Sequence, residues 1–339
     1  MVDFRYHLVS LIAVFMALGI GVILGAGPLQ NSIGSVLTDQ VDSLRDSRNE
    51  AWAQAEESQR ESDAYREGME ILSEDVIAGT LEGQNVTIVA LPGAGDDAIA
   101  THRENLEAAG ASVTGTLRVT EEFFSESGAS YRTALSGQLD TYVEPADNPM
   151  GTLVRGLELI LTGTDQSAST LLEVYQSSDN ALIEVVDPVT APADAILFLG
   201  VTADEIPEEP DTNRDAIIAN GAEFFSAIEL PAVYSADGQA GTLLATLRGE
   251  GSVSTVDSPM DATALINVPF ALTQEISGNA VAWGMAEGAE TVLGSPMPIQ
   301  AVSEVPVDEG TGTDPANPDS TDPTDAGTDG TEETDPATP

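Results

Sequence analysis

The chain contains no cysteine and no lysine, and only two histidines occur among its 339 residues. The absence of cysteine excludes disulfide bonds and metal sites built from thiolates. The two histidines, His7 and His102, are too few for an imidazole metal site. Histidine is also the most common side chain in general acid–base catalysis, so few candidates for that chemistry are present. The sequence also contains no GxSxG elbow, P-loop or HExxH motif, so nothing in it points to a familiar enzyme class.

Basic residues are scarce, because 11 arginines face 57 acidic residues and the formal net charge is −46. Residues 303–339 hold 11 of the acidic residues, so most of the acidity lies before this tail. Such a surface repels nucleic acid and anionic lipid, and it attracts cations only weakly and generally. The composition therefore predicts no nucleic-acid partner. A salty habitat or a proteome-wide acidic bias is the ordinary explanation for such a charge.

Leu8 to Gly27 is a run of 20 residues without a charge, with Ser10 as its one hydroxyl. A helix of this length spans roughly 30 Å, which is the thickness of the hydrocarbon core of a bilayer. The run is too long for a cleaved signal peptide, and Pro28 follows the small residues at its end. The sequence therefore predicts a membrane anchor over residues 1–28, with lipid contacts through residues 8–27.

Basic residues near the ends of the anchor predict its orientation. Arg5 lies before the span, and the first basic residue after it is Arg45. The positive-inside rule therefore places the N-terminus in the cytoplasm and residues 30–339 outside it.

Small residues recur every four positions in the anchor and form a ridge on one face. Such ridges allow two membrane helices to approach closely, although alanine and glycine are also common in membrane helices generally. The ridge therefore indicates a surface for helix association, formed by Ala13, Ala17, Gly21 and Gly25.

Residues 29–80 follow the 4, 3, 4, 3 spacing of a coiled coil. The seam is apolar at both ends but small or polar in its middle, where Arg48 and two serines occur. A single amphipathic stalk is the alternative to a parallel dimer. Together with the ridge just upstream, the seam predicts a homodimer or higher homo-oligomer, with Leu37, Val41, Leu44, Tyr65, Met69 and Leu72 as its contact residues.

Residues 84–300 alternate apolar, β-branched runs with helical patterns, which is typical of a doubly wound parallel sheet of the Rossmann or flavodoxin type. Strands are predicted at 86–91, 111–119, 232–235 and 252–257, and at one or both of 182–186 and 195–200. Helices are predicted at 96–109, 121–142, 150–162, 167–177, 213–228 and 262–276. Residues 301–339 consist almost entirely of Asp, Thr, Pro and Gly, so this acidic tail is predicted to be disordered.

Two features of the α/β segment resemble functional sites. Gly93 to Ala98 fits a loose GxGxxA dinucleotide loop, but Asp96 and Asp97 would cap the helix themselves and repel a pyrophosphate. A tight strand-to-helix turn is the better interpretation. His102 lies among polar neighbours and is predicted to face solvent.

Methionine is the remaining residue type able to bind a soft metal ion. The methionines beyond the anchor are too widely spaced to form a local motif, and each is expected to fill the core. They are Met69, Met150, Met260, Met285 and Met297. The metal ligands therefore remain unassigned from sequence, and no cofactor is predicted.

The opening FRYHLVSLIAVFMALGIGVILGAGPLQ, together with VTIVALPGAG at 86–95, AILFLG at 195–200 and VSTVDSPMDATALI at 253–266, resembles the actinobacterial MctB family. The resemblance covers most of residues 1–300. It implies copper homeostasis, with copper as a bound or transported ion. The family is described as pore-forming efflux proteins in the outer membrane of mycobacterial-type envelopes, so the resemblance implies this outer membrane as the alternative location. A β-barrel pore would require many alternating segments, whereas the strands predicted here are few and apolar throughout.

Three functions therefore stay open at this point. The first is an anchored envelope protein that takes part in copper efflux or tolerance. The second is a non-catalytic oligomeric scaffold of the cell envelope. The third is an enzyme with a site at the carboxyl edge of the strands, where α/β sheets commonly bind ligands. A shared methionine cluster would favour the first.

Overall fold

The computed structural model describes residues 4–177, 180–202, 212–239 and 242–299 of the chain. The predicted tail at 301–339 lies outside these residues. The helices and strands alternate along most of the chain, as the hydrophobic pattern predicts. They are α1 (Phe4–Ile77), β1 (Asn85–Ala90), α2 (Asp96–Ala108), β2 (Ser112–Val119), α3 (Ala129–Ser136), α4 (Pro149–Thr162), α5 (Gln166–Gln176), β3 (Ile183–Asp187), β4 (Ala195–Leu199), α6 (Thr212–Ser226), β5 (Ala232–Ala236), α7 (Leu243–Glu250), β6 (Ser254–Asp257), α8 (Ala262–Ile276) and β7 (Ala282–Trp283).

The strands form one seven-stranded sheet in the order β3-β2-β1-β4-β5-β6-β7. Every pair is parallel except β2 with β3, which is antiparallel. The chain therefore has the predicted α/β class with a largely parallel sheet. Both candidate segments near 182–200 are strands, and the first of them becomes an antiparallel edge.

The two faces of the sheet are both covered, so successive residues of the central strands enter different cores. Val89 packs with the core formed by α3 to α7, whereas Ile88 and Ala90 pack with α2, α8 and the end of α1. The first core contains a cluster of aromatic rings whose neighbouring centroids lie 4.9–5.6 Å apart. Burial on both faces explains why these strands are continuous apolar runs rather than alternating ones.

Helix α1 joins the apolar N-terminal segment to the α/β domain as one helix of 74 residues, roughly 110 Å long at the usual rise per residue. Its last turns pack against α8, where Ser73 and Ile77 are buried. Just beyond the helix, the Leu81 amide donates to the Ala109 carbonyl over 2.9 Å. The base of the stalk is therefore part of the domain core.

The structure differs from the prediction in two helical segments. The predicted helix at 121–142 is a single 3-10 turn, Glu121–Phe123, followed by the short helix α3. Gly128 and Gly137 flank α3 and interrupt the longer pattern. Helix α7 was not predicted, because eight residues between glycines give little periodicity to recognise.

Candidate functional site at the carboxyl edge of the sheet

The carboxyl ends of β1 and β4 mark the point where the strand order reverses, which is the usual ligand crevice of an α/β sheet. Here the loop after β1 is packed closely. A Cβ on Gly93, whose φ is +86°, would lie 2.4 Å from Val201 Cγ1 on the segment after β4. Val201 therefore occupies the space beside Gly93 at the switch point. This leaves less room for a dinucleotide to approach the glycine loop.

The charges of this loop are satisfied within the protein. Arg118 donates to the Ala94 carbonyl and to the Asp96 carboxylate, both over 2.7 Å. Asp96 thus pairs with an arginine of β2 instead of capping α2, which begins after Gly95 without a side-chain cap. A carboxylate at this helix terminus disfavours a bound phosphate, so the residues support the interpretation as a tight turn.

The densest polar arrangement at this edge surrounds Asp257, the last residue of β6. Its Oδ2 accepts from Arg248 Nη2 and from the Ala286 amide, each over 2.9 Å, and its Oδ1 accepts from the Met285 amide over 2.9 Å and the Ser258 hydroxyl over 3.2 Å. The contacts join α7, β6 and the segment after β7. We call these five residues the Asp257 junction.

Arg248 completes the junction from α7. Its Nη2 also donates to the Trp283 carbonyl over 2.8 Å, and its Nε donates to Thr255 Oγ1 over 3.1 Å. The side chains of Arg248 and Asp257 are 2% and 1% exposed. Because the carboxylate accepts four hydrogen bonds, about its full acceptor capacity, it has no lone pair left for a general base. The Asp257 junction therefore has a structural role, because it connects α7, β6 and the segment after β7.

His102 is fully buried, which corrects the prediction that it faces solvent. Its Nε2 lies 2.9 Å from the Pro259 carbonyl oxygen, two residues beyond Asp257, and therefore carries the proton that the carbonyl accepts. Its Nδ1 has no hydrogen-bond partner in the described part of the chain. Burial lowers the pKa of His102 from 6.5 to about 4, so the ring is neutral at pH 7.

The five methionines have different surroundings in the structure. Met150 is buried in the first core, and Met69, which is also predicted to lie in the coiled-coil seam, packs half-buried against the second core. Met297 lines a cleft of about 290 Å³ beside Gly79 at the base of the stalk. Met260 and Met285 are exposed, which contradicts the expectation that every methionine fills the core.

A second cleft, of about 320 Å³, lies at the amino ends of β5 and β6 and is lined by Pro231, Val253 and Glu275, among others. Burial raises the pKa of Glu275, whose carboxylate accepts from the Ser254 amide over 2.7 Å. Ligand sites of open α/β sheets lie at the carboxyl ends of the strands. Neither of these two clefts lies there, so neither supports the enzyme hypothesis.

The residues predicted for oligomer contacts lie on α1, and apart from Met69 all of them are exposed: Ala13, Ala17, Gly21, Gly25, Leu37, Val41, Leu44, Tyr65 and Leu72. Within the described residues, one segment is long and apolar enough to cross a membrane by length and composition, Phe4–Gly25. Among these same residues no group of three or more His, Cys, Asp or Glu is arranged to hold a metal ion.

The chain is similar to proteins of one family along most of its length. A family model described as "Copper transport outer membrane protein, MctB" matches residues 1–293. Proteins named copper transporter MctB from Mycobacterium bovis and Mycobacterium tuberculosis are 30% identical over 159 residues, which is 45% of this chain and 48% of each relative. The Mycobacterium leprae protein of that name is 30% identical over 130 residues, 36% of this chain and 39% of its own. The matched region thus spans about half the length of the first two relatives and 39% of the third.

Proposed function

Because the chain belongs to the MctB family, we propose that it is a membrane-anchored protein of the cell envelope that takes part in copper efflux or copper tolerance. The observation that carries the proposal is the extent of the family match, which includes the apolar N-terminal helix, the stalk and nearly all of the described α/β domain. The name of the mycobacterial relatives supplies copper as the transported ion.

The proposed topology places the N-terminus in the cytoplasm and the α/β domain outside it. Arg5 precedes the apolar segment and Arg45 is the first basic residue after it, so the charge bias favours this orientation. The last turns of α1 are packed into the domain, which fixes the domain to the end of the stalk. A domain held in this way acts at a set height above the membrane.

A pore formed by one copy of this chain is not part of the proposal. The apolar segment has only Ser10 as a polar side chain between Leu8 and Gly27, which offers nothing to line a water-filled path. The sheet is open, with β3 and β7 at its edges, and helices cover both faces. We therefore place the copper chemistry in the α/β domain and assign the helix the role of anchor.

We also propose a parallel homodimer through α1, and its test exploits the absence of native cysteine. Leu44→Cys, on the apolar seam, is expected to form a disulfide-linked dimer under mild oxidation, because facing seam residues of parallel chains lie close together. Asp46→Cys is the matched control, since a residue two positions away points from the opposite side of the helix. Non-reducing gels of the membrane-embedded chain provide the measurement. Equal cross-linking at both positions would argue against the seam.

A non-catalytic scaffold is the second candidate function. The long continuous helix α1 favours a scaffold, because it holds the α/β domain away from the membrane. The carboxylate of the Asp257 junction favours it too, because its acceptor capacity is filled and it makes the domain rigid without providing a reactive group. In a scaffold, loss of the chain would weaken the envelope irrespective of copper.

Growth of a host that lacks its own MctB-family gene separates the two functions. Under the copper proposal, the full-length chain restores growth at raised copper and has no effect at raised zinc. Under the scaffold alternative, the deletion impairs growth equally with and without added copper, and restoration is independent of the metal. The second result would overturn the copper proposal.

A further inference from the structure

The cleft at the amino ends of β5 and β6 contains a carboxylate without a cationic partner. Glu275 lines this cleft from the last turn of α8 and is half-buried. Among the described residues, none of the ion pairs includes it. Burial raises the pKa of Glu275, and hydrogen bonds from Ser254 oppose this change, but no arginine does. Partial removal of this charge from water therefore costs free energy that no opposite charge offsets.

The described arginines of the α/β domain have other partners. Arg155 pairs over 3.3 Å with the exposed carboxylate of Glu229, which also lines the cleft. The others whose side chains the structure describes donate to carboxylates or carbonyls elsewhere: Arg103, Arg118, Arg132 and Arg248. The chain contains no lysine. None of the described side chains thus supplies a cation to Glu275, and the cleft is open to one from another molecule.

Hydrogen bonds hold the walls of the cleft in place. Glu158 Oε1 accepts from the amides of Glu229 and Leu230 over 2.7 and 2.8 Å, which fixes the loop before β5. On the opposite side, the Val281 amide donates to Ser254 Oγ over 2.8 Å and fixes the segment after α8 against β6. The cleft is therefore preformed, so a partner can bind without first ordering these loops.

The polar groups of the cleft favour a ligand that donates hydrogen bonds. Pro231 has no amide hydrogen, and four further lining residues donate theirs within the protein: Ile228, Glu229, Leu230 and Gly278. Among the described residues, the Glu275 carboxylate accepts only from Ser254, so about half of its four acceptor positions stay open. An anion would find few free donors here, whereas a cation would find open carboxylate acceptors.

A guanidinium group fits these acceptors better than a metal ion does. Mg²⁺ and Ca²⁺ need about six or more oxygen ligands, and no group of three or more His, Cys, Asp or Glu within the described ranges could hold a metal ion. Guanidinium is planar, carries five donors and pairs with carboxylates in bidentate geometry. The cleft volume of about 320 Å³ lies near the lower end of the range for small-molecule sites, which suits a single inserted side chain. Arginine is also enriched at protein interfaces, where it commonly fills such pockets.

We propose that this cleft receives an arginine side chain of a partner polypeptide, with Glu275 as the residue that pairs with its guanidinium group. Exposed Glu250 ends α7 two residues before Ser252, which lines the cleft, and it favours the approach of a basic partner. The net charge of −46 adds a general attraction that does not select this cleft. The interaction is separate from the proposed copper role and does not depend on it.

Selection from a phage-displayed library of random heptapeptides on the full-length chain in detergent tests this pairing. The selection is made at about 0.3 M salt, because salt screens the attraction between exposed charges. Glu275→Gln removes the charge and keeps an acceptor for the Ser254 amide, and it is expected to fold because glutamine has no charge to desolvate. Glu287→Gln is the matched control, since it removes one charge from an exposed side chain on the loop after β7.

We expect the unaltered chain and the control variant to enrich peptides with arginine at one position, and the Glu275→Gln variant to lose this enrichment. The best peptide and its version with citrulline, an uncharged analogue of arginine, are then titrated by fluorescence anisotropy. Glu275→Gln and citrulline should each weaken binding by about ten- to a hundredfold, which is the usual effect of losing a hydrogen bond between charged groups.

Ala280→Phe provides a second variant that leaves the carboxylate intact. Ala280 is exposed and lines the cleft, so the larger side chain is expected to obstruct arginine without disturbing the core. This variant should also weaken binding of the selected peptide by tenfold or more, on the order of the loss of one charged hydrogen bond.

Equal arginine enrichment and equal affinity with the unaltered and Glu275→Gln chains would assign the binding to the general acidic surface and overturn the site. The absence of arginine enrichment on the unaltered chain would also overturn it. Equal affinity for the arginine and citrulline peptides would refute the charge pairing. Copper tolerance of the host is unaffected by any of these results, so the proposed function stands or falls separately.

Discussion

Asp257→Asn is expected to lower the free energy of unfolding of the α/β domain by about 3–5 kcal/mol, since removal of one partner of a buried ion pair leaves the other charge uncompensated. Arg248 is 2% exposed and has no access to water when its carboxylate partner is lost. The asparagine NH2 group would also replace one of the two carboxylate oxygens, so this donor would face either the Met285 amide or the Ala286 amide, which are donors themselves. Roughly 2–4 °C per kcal/mol is expected for a domain of this size, which gives a shift in Tm of about 6–20 °C.

Thermal unfolding of the full-length chain in detergent, followed by tryptophan fluorescence, measures this effect. Trp283 is buried and lies next to the junction, whereas Trp52 is exposed on the stalk, so the unfolding signal comes mainly from Trp283. Asp96→Asn is the matched control, because it removes the same carboxylate from an ion pair in which Asp96 is 93% exposed. The control should change stability by less than about 1 kcal/mol. Equal shifts for both variants would contradict the structural role of the junction.

The second large effect is a loss of stability in mild acid that depends on His102. The folded-state pKa of His102 is about 4, below the value of 6.5 of the unfolded chain. As pH falls below 6.5 the unfolded state therefore binds a proton that the folded state does not, and unfolding becomes easier until the pH reaches about 4. Between pH 7 and pH 5 the loss from this group amounts to about 2 kcal/mol.

Glu158 and Glu275 act in the opposite direction, because burial raises their pKa values and the folded state takes up their protons first as pH falls. The comparison of two chains separates these contributions. His102→Gln keeps a side-chain donor for the Pro259 carbonyl but does not titrate in this range. Urea unfolding at pH 7 and pH 5 should show a decline in stability that is smaller by about 2 kcal/mol in the variant. Parallel declines in both chains would mean that His102 is protonated in the folded state.

The burial of His102 shows how much a local pattern reveals and where it misleads. Ala98, Ile99, His102, Asn105 and Leu106 are the buried residues of α2, at the spacing of one helical face. The sequence contains that spacing, but the many charged neighbours of His102 led to the prediction that it faces solvent. His102 lies four residues after Ala98 and four before Leu106. It therefore belongs to the buried face of α2, whichever residues lie between these positions.

Strands were predictable where burial on both faces produced continuous apolar runs, as in β1 and β4. The antiparallel direction of β3 was not predictable, because local composition does not encode the pairing direction of an edge strand. Strand β7, with two residues, carries no pattern at all.

The Asp257 junction lay beyond sequence reasoning for a different physical reason. Its members are separated by up to 38 residues, and one carboxylate among 57 acidic residues has no signature of its own.

Cell-associated copper is the most direct measure of the copper role proposed for this chain. The measurement compares a host without its own MctB-family gene with the same host carrying the full-length chain, both at equal external copper. Metal content is read by mass spectrometry, with zinc as the internal comparison. The account predicts less copper in cells with the full-length chain than in cells without it, and unchanged zinc. Equal copper content with and without the full-length chain would contradict the account.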